Sequence, residues 1–251
     1  MESDLVRFGI PLIALALSAL FVVAVFVAER AAGTMAGLRL QRTALAALGV
    51  LLWLAIVAAL ALSGLLRRFD LRPPPMALWF GMTLLLPLVV ALSPLGKRLA
   101  AGLPLVALVG FQAFRLPLEL LMHRAAMDGL MPRVMSYSGY NFDIVTGTTA
   151  LVLGIALARG NVPRAAVLAW NFMGLVLLAV IGGIAFAATP IFLAFGPDNA
   201  NVWVMSFPYS WMSIMVAGAL FGHVLVLRKL YGTPASETSS NPKKSLTSVS
   251  V

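Results

Sequence analysis

The chain contains no cysteine. That excludes disulfides, thiolate metal sites, iron–sulfur ligation, c-type haem attachment and a cysteine nucleophile. Histidine is almost as scarce, with only His123 and His223. Three-histidine zinc chemistry of the kind used by membrane hydrolases resembling alkaline ceramidases is therefore ruled out. Charge is sparse too: 11% of residues are Asp, Glu, Lys or Arg, against roughly 25% in a soluble domain. Acidic residues are the scarcer sign, nine against eighteen basic ones. The resulting +9 does not point to nucleic acid, because no basic stripe with interleaved aromatics is present. Lys and Arg instead sit in short segments between apolar runs, the pattern of positive-inside membrane proteins.

Apolar sequence is abundant. Hydrophobic residues make up 61% of the chain and the mean hydropathy is +0.98. The fold class expected is all-α, a polytopic membrane helical bundle and a multi-pass protein of the lipid bilayer. A helix needs about 20 apolar residues to cross the hydrocarbon core. Seven runs qualify as candidate transmembrane helices: 8–28, 43–66, 75–92, 99–122, 142–158, 164–188 and 203–227. The fifth is short. The third follows Pro73–Pro75 and contains Pro87, which predicts a bend. The first run exceeds the ~7–15 apolar residues of a signal peptide and follows Glu2 and Asp4, so it reads as a span and not a cleaved leader. The bundle is expected over 1–231. The Ser- and Thr-rich tail 232–251 cannot bury apolar area and reads as disordered.

With the N-terminus outside, the inner segments hold Arg30, Arg39, Arg42, Lys97, Arg98, Arg159, Arg164, Arg228, Lys229, Lys243 and Lys244, and the outer ones only Arg7, Arg67, Arg68, Arg72, Arg124 and Arg133. This excess predicts N-out, C-in. Small residues form faces on two helices: Gly147, Ala150, Gly154 and Ala158 on the fifth, and Gly218 and Gly222 on the seventh. Such faces let helices approach closely. They could pack within the chain, or seat membrane-protein partners or a second copy in a homo-oligomer.

The most informative local feature is a polar stripe in the fourth helix. Gln112, Arg115, Glu119 and His123 are spaced three, four and four residues apart within FQAFRLPLELLMHR, so they share one helical face. Ionisable groups at membrane depth are costly and usually face protein or water. Pro117 removes an N–H from the same stretch, which frees the Ala113 carbonyl and predicts a kink. Arg115 and Glu119 can pair at i,i+4. On the expected topology His123 lies at the outer boundary, with Glu119 about 6 Å, Arg115 about 12 Å and Gln112 about 16 Å deeper. The loop that follows carries Asn141 and Asp143, which either cap the fifth helix or join the stripe.

These six residues, Gln112, Arg115, Glu119, His123, Asn141 and Asp143, are the candidate ligand-binding set. Asn171 on the sixth helix reads as a hydrogen bond between helices. His223 is expected near the inner end of the seventh helix, most of the ~30 Å hydrocarbon thickness from His123, which argues against a bis-histidine haem. No catalytic residue, resident metal or cofactor is indicated. A retinal-type Schiff-base lysine inside the last helix is absent, and the outer loop has Ser136 where a rhomboid-like Gly-x-Ser-Gly needs glycine.

The stretch QAFRLPLELLMHRAAMDGLMPRVMSYSGYNFDIVTG, continued by AWNFMGL and FPYSWMSIMVAGALFGHVLVLRKL, resembles a family of bacterial multi-pass integral membrane proteins with no known activity. Arg115, Pro117 and Glu119 fit its FR-x-P-x-E core. Gly139, Asn141, Asp143 and Gly147 fit its G-x-N-x-D loop-to-helix motif, and Asn171, Pro208 and His223 fit later landmarks. Members often carry an acidic residue where this chain has Ser138. The resemblance implies the bacterial cytoplasmic (inner) membrane and nothing chemical. The residues themselves suggest a small-molecule binder, sensor or carrier with an outward-facing polar pocket: Arg115 holds an anionic group, Glu119 is its counter-ion and His123 a gate. The alternatives are a structural subunit or assembly factor of a membrane complex, and a metal-assisted intramembrane enzyme built on Glu119, His123 and Asp143.

Overall fold

The computed structural model of the protein describes residues 4–160 and 162–232, so the tail expected beyond Gly232 lies outside the described residues. No strand occurs among the described residues. Six helical stretches are long and apolar enough to cross a membrane: Asp4–Ala31 (α1), Ala36–Leu62 (α2), Pro75–Leu92 (α3), the stretch Leu105–Met127, Arg164–Ala187, and Tyr209–Gly232. The fifth expected span is a 16-residue helix, Ile144–Arg159, about 24 Å long, and falls short of that length.

Local chemistry sets the boundaries. α1 carries Asp4 in its first turn and Arg30 in its last, complementing the helix dipole. It closes with the Thr34 amide on the Glu29 carbonyl (3.1 Å), the Gly33 amide on the Arg30 carbonyl (3.1 Å) and Gly33 at φ +71°, a Schellman ending that requires the left-handed region. α3 begins at Pro75, where a missing N–H costs nothing. Ser93 ends it and starts a short helix, Pro94–Gly102 (α4), by accepting from the amides of Leu95 (3.1 Å) and Gly96 (3.4 Å). Gly96 is required for this tight corner, because a Cβ there would lie 2.0 Å from the Ala91 carbonyl oxygen.

The expected fourth span, 99–122, is thus divided. Leu103 and Pro104 separate α4 from Leu105–Gly110 (α5). A 3₁₀ segment, Phe111–Phe114, then joins α5 to Arg115–Met127 (α6). The irregularity sits just before Pro117, whose missing N–H leaves the preceding turn without its usual donor. Ile144–Arg159 (α7) and Arg164–Ala187 (α8) follow, and three short 3₁₀ turns lead into Met212–Gly232 (α9).

Two apolar clusters mark the ends of the bundle. One gathers Val6, Ile10, Leu121, Met135, Trp203 and Met215. The other gathers Val25, Leu99, Val109, Trp170 and Leu225. α9 is the central helix: half of its most apolar window is buried, against 11% for the peripheral α2. Its last turn is anchored by Lys229 Nζ, which donates to the Ala100 carbonyl at 3.0 Å, and by Arg228, which donates to the carbonyls of Ala91 and Ser93 at the end of α3, where unpaired carbonyls favour a cation. Most of the small-residue positions pack inside the chain, Ala158 at the end of its face being exposed. A Cβ on Gly147 would lie 2.4 Å from the Leu116 amide nitrogen, one on Gly154 3.2 Å from Gly110, and one on Gly222 2.6 Å from Gln112 Nε2.

Candidate functional site

The site forms where α6, the start of α7, α8 and α9 meet. Arg115 opens α6, directly after the 3₁₀ segment, and is 1% exposed. Its Nε donates to Asp143 Oδ2 at 2.7 Å, and its Nη2 lies 2.6 Å from the same oxygen. Its Nη1 lies 3.0 Å from His223 Nε2 on α9. A guanidinium can only donate, so His223 Nε2 is the acceptor and the ring proton sits on Nδ1. That Nδ1 lies 2.9 Å from Asn171 Oδ1 on α8 and donates to it. A single hydrogen-bonded chain therefore runs Asn171, His223, Arg115, Asp143, across four helical elements.

Glu119 lies one turn beyond Arg115, but the two do not pair. Glu119 Oε2 accepts from Asn141 Nδ2 at 2.7 Å, and the same amide also donates to the Met135 carbonyl at 3.0 Å. Asn141 Oδ1 in turn accepts from the Asp143 amide at 3.0 Å. This Asx turn presents both residues to α6, and Asp143 makes no side-chain capping bond to α7. The i,i+4 ion pair expected within one helix is replaced by two parallel attachments to the loop before α7. Direct bonds to a neighbouring segment satisfy both groups, whereas an i,i+4 pair would leave Asn141 and Asp143 buried without partners.

Of the six candidate residues, the structure joins Arg115, Glu119, Asn141 and Asp143. Gln112 is adjacent, with Nε2 donating to the Ala219 carbonyl at 2.9 Å, a bond that ties the 3₁₀ segment to α9. His123 stands apart: its ring stacks on Tyr137 with centroids 4.3 Å apart. It does not meet Glu119 or Asp143, and among the described residues no group of three or more His, Asp or Glu is placed to hold a metal ion. Asn171 makes the hydrogen bond between helices expected of it, to His223, whereas His223 was expected near the inner end of its helix. α9 proper starts at Met212, so His223 lies near its middle and not near its end. The sequence signal was Pro208 between Ser206 and Ser210, where 3₁₀ turns replace the expected helix start.

The network forms part of the wall of a cavity of about 100 Å³. Most of the wall is apolar, from Met76, Phe80, Phe114, Leu178, Ile181 and Met215; Arg115, Glu119 and Asp143 supply the ionisable part. Three further wall residues, Trp79, Asn201 and Ser213, have a buried polar atom without a hydrogen-bond partner: Nε1, Oδ1 and Oγ. On the α3–α8 side, Phe80 and Phe186 stack at 5.4 Å between centroids, 23° from parallel. No family model, curated protein or solved structure matches the chain.

Proposed function

We propose that this chain is a non-enzymatic integral membrane protein that binds a small lipophilic molecule in the cavity beside Arg115, as a sensor or carrier. The observation that carries the reading is the combination of an apolar wall, unsatisfied buried polar atoms on three uncharged residues and an ionic network at one place. Such atoms cost free energy in a dry interior, and an occupant with a small hydrogen-bonding head group removes that cost. Arg115 is engaged by Asp143 and His223, so it positions the network and does not hold an anion. Among the uncharged wall residues the free hydrogen-bonding capacity belongs to Trp79, Asn201 and Ser213, which suits a hydroxyl or amine on an apolar body.

In this reading the protein resides in a bacterial inner membrane and crosses it seven times, N-out and C-in, and the site lies in the outer half of the bundle. Support for the seventh crossing comes from α7. It starts beside Met135 of one apolar cluster, while Leu153 and Leu157 pack on the other. Support for the orientation comes from the excess of Lys and Arg at the α4 end. The resemblance to bacterial multi-pass proteins is consistent with the convergence of its landmarks, Arg115, Glu119, Asn141, Asp143, Asn171 and His223, in one connected chain.

The test uses purified protein in detergent and two probes, 1-octanol and octylamine, with octanoate as comparison. Quenching of Trp79 fluorescence by a brominated analogue reports occupancy. The expected result is thermal stabilisation by the alcohol or amine, with little effect from octanoate, and loss of that stabilisation in Gly182→Leu, which fills the cavity beside Phe80. Equal shifts in wild type and Gly182→Leu would overturn the reading and favour the structural-subunit alternative.

A further inference from the structure

A second charged cluster lies at the other end of the bundle, independent of the cavity. Glu29, in the last turns of α1, is fully buried. Its Oε2 accepts from Arg42 Nη1 of α2 at 2.8 Å and from Thr34 Oγ1 at 2.6 Å, and its Oε1 accepts from Arg98 Nη1 of α4 at 2.9 Å. One carboxylate thus holds two guanidiniums, whose side chains remain 31% and 36% exposed. These residues line a cleft of about 340 Å³, completed by Leu45, Ala46 and Leu95.

Three features give the cleft a ligand preference. Its charge is positive, because a single carboxylate faces two arginines. Each guanidinium makes one hydrogen bond among the described residues, to Glu29, and so keeps most of its five N–H donors. Glu29 acts as a fixed post that points two planar forks into one space, the arrangement suited to bidentate recognition of a phosphate. Leu45 is 59% exposed, and Leu48 and Leu52 continue its face of α2 at 60% and 56%, so an apolar strip leads from the cleft along the outside of the bundle. Exposed Arg30 and Lys97 neighbour the cluster in sequence, and Arg39, one turn before Arg42, lies 4.9 Å from the Phe26 ring centre.

We propose that the Glu29–Arg42–Arg98 cleft binds a net-anionic phosphate group, with the head group of an anionic phospholipid as the source that the adjoining leucine strip fits. A free phosphate shares the chemistry but makes no use of the strip. Basic pockets between helices at a membrane surface recognise such head groups.

The test uses the full chain in nanodiscs of phosphatidylcholine with or without phosphatidylglycerol, and in detergent with inorganic phosphate, read by native mass spectrometry and thermal unfolding. The expected result is retention of phosphatidylglycerol over phosphatidylcholine, with apparent affinity falling by about tenfold in Arg42→Gln and Arg98→Gln, the scale of one charge-assisted bond. Leu45→Trp blocks the cleft without touching the ion pairs and should lower retention at unchanged unfolding temperature, which keeps the test decisive if an arginine variant folds poorly. Arg164→Gln, at the same end but stacked over Tyr231, should bind as wild type. Arginine-dependent binding of inorganic phosphate, with phosphatidylglycerol no better, would overturn the lipid source and retain the phosphate site. Equal retention of both lipids, or binding unaffected by all three cleft variants, would overturn the proposal.

Discussion

The two buried carboxylate–guanidinium clusters are built oppositely. At Arg115 one cation meets one carboxylate, and Arg115 and Asp143 are both sealed, with side-chain exposures of 1% and 6%. At Glu29 one sealed carboxylate meets two cations that reach the surface. The difference teaches which partner can rehydrate. Removing Glu29 leaves two arginines that water already touches. Removing Asp143 leaves Arg115 enclosed among helices with only a histidine nitrogen for company, and an uncompensated buried charge is among the costliest defects in a folded chain.

That contrast can be broken by experiment. The largest effect is expected for Asp143→Ala, a loss of about 3–5 kcal/mol in unfolding free energy, measured by reversible denaturation in mixed micelles; the double variant Arg115→Leu, Asp143→Ala should recover much of it, because no charge is then stranded. A double variant as unstable as the single one would show that the pair contributes more than neutralisation. Gly174→Ala comes next. Its Cβ would lie 2.4 Å from His223 Cε1, so overpacking should cost about 1–3 kcal/mol and displace the imidazole that Arg115 needs. Glu29→Gln should cost less, about 0.5–1.5 kcal/mol, since both arginines can turn outward. If Glu29→Gln proved as damaging as Asp143→Ala, the contrast in solvent access would not be what separates the clusters.

The smallest effect is expected at a third, fully exposed pair. In the loop between α2 and α3, Arg68 Nε and Nη2 donate to Asp70 Oδ1 and Oδ2 at 2.8 and 2.6 Å, and this fork holds the Asp70 carboxyl down at about 2. A lowered carboxylate contributes stability that is present above its unfolded value, near 3.9, and is lost as pH falls toward 2. Between pH 8 and 5 nothing should therefore change, and Asp70→Asn should leave the unfolding midpoint where it is, because exposed pairs are screened by water and salt. A clear shift in that window would mean the loop is packed against something in the membrane.

Hydropathy alone located most of the bundle. The third span starts and ends where its flanking prolines and Ser93 place it, and the sixth differs by one residue at its end. The fourth span was misread because a sliding apolar run does not register Leu103–Pro104, where one proline turns a single crossing into α4 plus a separate rod. At the site, the helical spacing of Arg115 and Glu119 identified the correct face. It could not identify the partners, since periodicity describes a surface and not what lies opposite. Asn141 and Asp143 were recognisable as candidates from their polarity and position, and Asn171 as an interhelical hydrogen-bonding group, but the joining of Asn171 and His223 to Arg115 was not. Their role depends on the register of α8 against α9, which is set by Gly174 beneath the imidazole and by the late start of α9 at Met212.

The stacked rings of Phe80 and Phe186 have a kinetic consequence. They line the cavity where α3 and α8 meet. On the binding role proposed above, an occupant passing between them would exchange sideways with the acyl region of the bilayer, at a pace set by two benzyl side chains swinging apart. The concentration governing filling would then be the one dissolved in the membrane, so that a compound dilute in the surrounding water would still saturate the site.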